Sequence, residues 1–333
     1  MDFELTDQQT MYRDMAKAFA EREILPFVRE RDSDENFSID ILHKMGPQGL
    51  LGGPIPQEYG GSGIDSISYA LSCEEIGKVS PAVFTAALTV QVSLVGLSIL
   101  QWGTDEQKKN YLPKLCSGEN IGCFALTEPD HGSDPSAIET TATEEGDFWK
   151  INGGKMWISN GSFADFALVF AQTDPSKGYK GIVSLIVAKG TPGYSATAIH
   201  GKLGIRSSNT AELIFDNVSI PKSQQLGEIG QGFSIAMSAL DNGRFSTGSC
   251  AVGIAQACIE ASTKYAQERQ QFGKPIGAFQ LVQELITDMI VETEAARLLV
   301  LKAGHIRTRG ERISQAASIA KYYASETAVR AAK

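Results

Sequence analysis

Cysteine is scarce in this chain: five residues among 333 (Cys73, Cys116, Cys123, Cys250, Cys258), an odd number with no CxxC pair. Such spacing offers neither a disulfide framework nor a zinc cage, so a reduced, cytoplasmic chain without a structural metal is expected. Positive charge is also in deficit. Lys and Arg total 30 against 39 Asp and Glu, a formal net charge of −9 with no basic block, which removes the electrostatic footprint for a nucleic-acid backbone or an anionic bilayer. The opening MDFELTDQQT lacks the basic entry of a signal peptide and the Arg-rich character of a transit segment. No apolar run is read as approaching the roughly 20 residues of a membrane span. A GxGxxG between strand and helix is missing, as is an alternating βαβ pattern, so a Rossmann domain is not expected.

What is present divides into three. The first third reads as helical. Thr6 and Gln9 form a T-x-x-Q capping box ahead of an amphipathic stretch that ends at Pro26, and Thr104 with Gln107 forms a second box before Pro113. Further helical patterns lie around Ile39 to Met45, Ser66 to Ile76 and Val83 to Gln101. After Glu119 the period changes to two in the runs FWKI, DFALVFAQ, GIVSLIVA and AELIFDNVSI, with turn signals at Asn152-Gly153, well placed for a tight hairpin, and at Asn160-Gly161. From Gly232 the helical period returns in three long segments, roughly Phe233 to Gln270, Leu281 to Arg309, and Ile313 to Lys333. The expected class is α+β: an N-terminal helical domain (1–118), a central antiparallel β domain (119–223) and a C-terminal helical domain (224–333), the last still periodic where the sequence stops.

Chemistry gathers where the first strand breaks. In CFALTEPDHGSD, Thr127 and Ser133 offer hydroxyls, Gly132 permits close backbone approach, and the turn exposes N–H groups that no ladder uses. In KMWISNG, Trp157 is a candidate cover for a planar ligand and Ser159 a further hydroxyl. A plain β-turn beside a core Trp accounts for the same residues.

These two segments, ALTEPDHGSD and GGKMWISNG, resemble the paired flavin-binding segments of the acyl-CoA dehydrogenase family. PQEYGGSG, KLGIRSSNTAEL, FDNVSIP, GQGFSIAMSALDNGR and ERQQFGKPIGAFQ follow in the family's order, so the resemblance spans nearly the whole chain. It implies FAD as cofactor. Phe124, Leu126, Thr127, Gly132 and Ser133 would line the isoalloxazine, with donors that stabilise negative charge collecting on the ring. Trp157, Ile158 and Ser159 would lie along it near N5. Arg269, Gln271 and Phe272 match an element by which one subunit reaches its neighbour's cofactor, and Gln280 matches a further contact. The resemblance therefore implies a homo-oligomer, a dimer of dimers. Asp241 and Arg244, which also read as an ordinary i, i+3 helix pair, would with Ser133 hold the acyl-CoA. The implied reaction is α,β-dehydrogenation of a short, branched or cyclic acyl-CoA, with Val90 and Gln91 near the acyl pocket and an electron-transferring flavoprotein as acceptor. An acyl-CoA oxidase and a catalytically silent flavin-binding homologue are the alternatives.

The base is the missing piece. Most members carry a Glu in a late segment like YEGTSQ, which has no counterpart here; a minority place it one residue before the Arg of LDNGR, where this chain has Gly243. Glu128 and Asp241 are unsuitable substitutes, the first being structural in the family and the second facing the cleft mouth. The expectation is a chain lacking its C-terminal segment, with the catalytic Glu beyond Lys333.

Overall fold

A computed structural model describes residues 4–333. They form two compact units, one comprising the segment that ends at Val28 with Ile64–Phe84 and Arg244–Lys333, the other Arg29–Gly63 with Thr85–Gly243. The α+β class is as expected, with helices preceding and following a central, largely antiparallel sheet.

The first unit is helical. Helix Asp7–Phe19 opens on the anticipated box: the Gln9 N–H donates to the Thr6 hydroxyl at 3.2 Å and the Thr6 N–H to the Gln9 side-chain Oε1 at 3.1 Å. Two orphan donors of the first turn are thus satisfied by one residue pair. This helix packs on Ser66–Val79, whose N-cap Asp65 accepts from the N–H groups of Ile67 and Ser68. The three predicted C-terminal segments form helices Gly232–Glu268, Gln280–Thr308 and Ser314–Ala331, the last two packed on each other. Arg297 ties three helices together, donating to Glu74 at 2.8 Å and to the Gln256 side chain at 3.0 Å. Gly253 allows the closest crossing, since a Cβ there would fall 2.1 Å from the Glu74 carbonyl oxygen.

The second unit contains the sheet. Its strands are β1 Gly122–Ala125, β2 Thr141–Glu145, β3 Phe148–Ser159, β4 Phe166–Gln172, β5 Ile182–Ala188, β6 Tyr194–Ala198, β7 Thr210–Pro221 and β8 Gln225–Leu226. They run in the order β6-β7-β3-β2-β4-β5-β8, with β1 added parallel to β4. Because successive side chains point to opposite faces, β4 feeds two cores: Phe166, Leu168 and Phe170 into one with Leu112, Leu115 and Ile235, and Ala167, Val169 and Ala171 into another with Trp149, Leu213 and Phe215.

One expectation needs correction. The hairpin expected at Asn152-Gly153 is absent; both residues lie inside β3, opposite a bulge on β7 where Asn217 adopts φ 54°. The β2–β3 turn is instead Gly146-Asp147, with Gly146 at φ 62°. Gly153 is there for a different reason: a Cβ on it would sit 2.7 Å from Thr140 Cα. Among the described residues, one segment is long and apolar enough to cross a membrane, Pro81–Trp102, 22 residues at mean hydropathy 2.0. It is 78% buried within the protein, as befits a core helix, and its middle is a π-helix, Thr85–Gly96. Thr, Gln and Ser residues scattered through it concealed its length from a search for unbroken apolar residues.

Candidate active site

The π-helical stretch, the break after β1 and the end of β3 meet around one cavity of about 190 Å³. Its lining is Val90, Leu94, Phe124, Leu126, Thr127, Trp157, Ile158, Ser159 and Leu240. Seven of these nine are apolar and none is ionisable. Among the described residues, the hydroxyls of Thr127 and Ser159 take no partner within the chain.

A bulge puts Trp157 here. Lys155 pairs with Leu213 and Ile158 with Ala211, so three steps along β3 answer two along β7. In strict alternation Trp157 would share the buried face of Lys155; the extra residue moves it to the other side, at φ 64° and 60% exposed. A left-handed backbone on so bulky a residue is strained, by about 1–3 kcal/mol, and such strain gathers at functional sites. The bulged Met156 N–H donates to the Thr127 carbonyl at 2.9 Å, joining the end of β3 to the turn after β1.

A second tie lies behind that turn. Lys155 has no exposed side-chain surface; its ammonium donates to the Leu126 carbonyl at 3.0 Å and to Glu128 Oε1 at 2.7 Å. Glu128 also accepts from the N–H groups of Glu139 at 2.6 Å and Thr140 at 3.0 Å. Burial pushes the Lys155 ammonium down to about 8 despite the adjacent carboxylate. Burial also works against the Glu128 carboxylate, yet the Lys155 charge and these hydrogen bonds outweigh it and hold Glu128 below its ordinary value.

Of the residues anticipated for the cofactor, six line the cavity: Phe124, Leu126, Thr127, Trp157, Ile158 and Ser159. Gly132 and Ser133 belong to the same turn without lining it. No backbone constraint demands Gly132, whose added Cβ would meet nothing nearer than 4.0 Å. Of the two residues expected near the acyl group, Val90 lines the cavity and Gln91 does not. Gln91 is fully buried, donating to the carbonyls of Leu115 at 3.1 Å and Asn120 at 2.7 Å and accepting from the Gly122 N–H at 2.8 Å. Leu94 and Leu240 are the residues sequence reading missed as lining, because leucines at helical spacing carry no signal beyond packing. Gly243, one turn beyond Leu240, brings no side chain, and a Cβ on it would meet Leu94 Cδ2 at 3.0 Å. Asp241 is half-buried on the same helix.

Arg244, Arg269, Gln271, Phe272 and Gln280 belong to the helical unit. Gln270–Gln271 and Lys274–Pro275 form a small antiparallel hairpin whose two turn residues, Phe272 and Gly273, both have positive φ, 52° and 76°. Phe272 is left 92% exposed at its tip. Gln280 opens the following helix.

Comparison with known proteins gives a consistent picture. Profiles of the acyl-CoA dehydrogenase N-terminal, middle and C-terminal domains match residues 6–119, 123–218 and 230–333. An acyl-CoA dehydrogenase of Bacillus subtilis is 43% identical over 328 residues, covering 98% of this chain and 86% of that protein. Butyryl-CoA dehydrogenase from Megasphaera elsdenii superposes with TM-score 0.97 at 40% identity, covering 99% of this chain and 87% of the other. A chain in the structure of an electron transferring flavoprotein of Acidaminococcus fermentans superposes with TM-score 0.96 at 44% identity, covering 98% and 86% respectively. The expectation of a family member lacking its C-terminal segment is overturned by the third profile: the C-terminal domain is represented over residues 230–333, alongside the other two.

Proposed function

The chain belongs to the acyl-CoA dehydrogenase family, FAD-dependent oxidoreductases acting on a CH–CH bond, and from that premise we propose that it converts a short, branched or cyclic acyl-CoA to the 2-enoyl-CoA. The observation that carries this reading is the small apolar cavity at which the two anticipated flavin segments meet. Its donor set fits a flavin: two unengaged hydroxyls on a wall of Phe124, Leu126 and Ile158, with an exposed indole held outward by a strained bulge. Thr127 and Ser159 would hold the ring by hydrogen bonds, and Trp157 would cover its face. Bound FAD supplies the hydride acceptor for the β-hydrogen.

The remaining lining residues argue for the acyl group. Val90, Leu94 and Leu240 offer dispersion contacts and no counter-ion, so a terminal carboxylate on the acyl chain would be desolvated without a partner. An uncharged chain of modest size suits this wall. Glu128 is committed to Lys155 and two backbone N–H groups and has no part in proton abstraction. Likeness to the chain from the A. fermentans structure supports an electron-transferring flavoprotein as acceptor. The exposed Phe272 tip supports a homo-oligomer in which Arg269, Gln271, Phe272 and Gln280 contact a neighbouring copy's cofactor, and Asp241, Arg244 and Ser133 are assigned to acyl-CoA binding.

One feature favours a second reading, a flavin-binding homologue without turnover: none of the nine lining residues is a carboxylate. Anaerobic titration of the yellow protein with butyryl-, isovaleryl-, cyclohexanecarboxyl- and glutaryl-CoA separates the two. Bleaching of the flavin band by one of the first three, with glutaryl-CoA inert, is the expected result. A band unmoved by every thioester overturns the dehydrogenase reading in favour of the second.

A further inference from the structure

Lys155 and Glu128 form an ion pair whose side chains are both almost completely shielded from solvent, at 0% and 5% exposure. Burying two charges is unfavourable unless each finds further partners, and a well-packed apolar pair often serves stability as well. The partners found are specific. Lys155 bonds the carbonyl of Leu126, which lines the cavity, and Glu128 bonds the N–H groups of Glu139 and Thr140, with Thr127 between the two anchored residues. On the same strand the Met156 N–H holds the Thr127 carbonyl, and the next residue is the bulged Trp157. Three consecutive residues of the turn, Leu126 to Glu128, are therefore fixed to two consecutive residues of β3, Lys155 and Met156, at the point where both segments reach the cavity.

We propose that Lys155 and Glu128 are a positioning pair that presets the cavity-facing turn Leu126–Glu128 against the Trp157 bulge, so that Thr127 and the indole stand ready for the flavin ring. The proposal rests on the flavin reading of the cavity. Without the ammonium, the Leu126 carbonyl and the Glu128 carboxylate lose their shared donor, and the turn is free to rotate its peptide planes away from the ring. Neither residue lines the cavity, and the pair's role is exercised through Thr127 and Trp157.

The test uses the purified holoprotein and three variants: Lys155→Met, Glu128→Gln, and the double replacement K155M/E128L, which substitutes an apolar pair of similar volume. FAD dissociation constants come from flavin fluorescence, folding from far-UV circular dichroism and urea midpoints, and ring environment from the visible absorption band of bound FAD. The expected result is at least a tenfold weakening of FAD binding and a shifted flavin band in K155M/E128L with a wild-type far-UV spectrum, and a lowered urea midpoint because the Glu139 and Thr140 N–H groups lose their acceptor. Either single variant that remains folded should show the same band shift. A double variant that folds, binds FAD as tightly as wild type and shows an unchanged band reduces the pair to a structural element and overturns the proposal. Wild-type protein that takes up no FAD at all would instead remove the flavin reading, and the proposal with it.

Discussion

Trp157 shows how a single residue can be strained for a purpose. Its ring is 60% exposed, so little core depends on it, while its backbone is held at φ 64° by the bulge. Trp157→Ala should leave the urea midpoint almost unchanged and weaken FAD binding by roughly tenfold or more, in line with the loss of an aromatic stacking surface. An equally affected midpoint and affinity would mean that the indole belongs to the core. Glu128 makes a different prediction, in pH. Its folded-state carboxyl titrates below the ordinary 4.5, so in the window between the two values the unfolded chain binds more protons. The stability it contributes is complete above that ordinary value and is lost as pH falls through the folded value. Urea midpoints measured from pH 6 down to pH 3 should fall less steeply in Glu128→Gln than in wild type; parallel curves would exclude Glu128 as a source of acid sensitivity. The cavity residues with distinctive chemistry, Thr127, Trp157 and Ser159, were legible from the sequence. Leu94 and Leu240 were not, because what makes an apolar side chain a cavity wall rather than a core residue is the empty space beside it.

At the scale of elements, the hydrophobic period located most helices and strands, and the two capping boxes located helix starts closely. Side chains with a local target are readable in this way. The π-helical middle of Pro81–Trp102 was not, and the Gln91 amide within it bonds Leu115, Asn120 and Gly122 rather than near neighbours in sequence. Those partners lie 24 to 31 residues away. Gln91→Leu would strand two carbonyls and an N–H in the interior and should destabilise the protein by about 2–4 kcal/mol, read from denaturant midpoints. A loss under about 0.5 kcal/mol would show that water or a shifted backbone replaces the amide. Asn152-Gly153 misled for the same reason. The dipeptide has the composition of a turn, but its glycine answers to Thr140 across the sheet rather than to its neighbours in sequence. Gly153→Ala should therefore be destabilising by about 2 kcal/mol or more, because both its φ of 143° and the space beside it exclude a Cβ.

For the whole molecule, the C-terminal helices pose a question of association. Leu281, Leu285 and Val291 on one helix and Ile319, Tyr322 and Val329 on the next are large apolar side chains left exposed in the single chain. Large apolar side chains exposed on these two helices make them the segments to test for contact with a further copy of the chain. Leu281→Glu with Leu285→Glu should reduce the sedimenting mass relative to wild type and weaken FAD retention if neighbouring copies complete the cofactor site. An unchanged mass would place the oligomer interface elsewhere. The sequence alone determined the α+β class and the order of helical and strand segments, because periodicity, capping and turn chemistry act over a few residues, and it singled out the two segments that meet at the cavity. Only the tertiary structure decided which of their side chains share a cavity, that Lys155 and Glu128 lock the turn from behind, and that Gln91 serves the backbone rather than the substrate. Each of those outcomes depends on groups brought together across tens of residues, where burial removes water as an alternative partner.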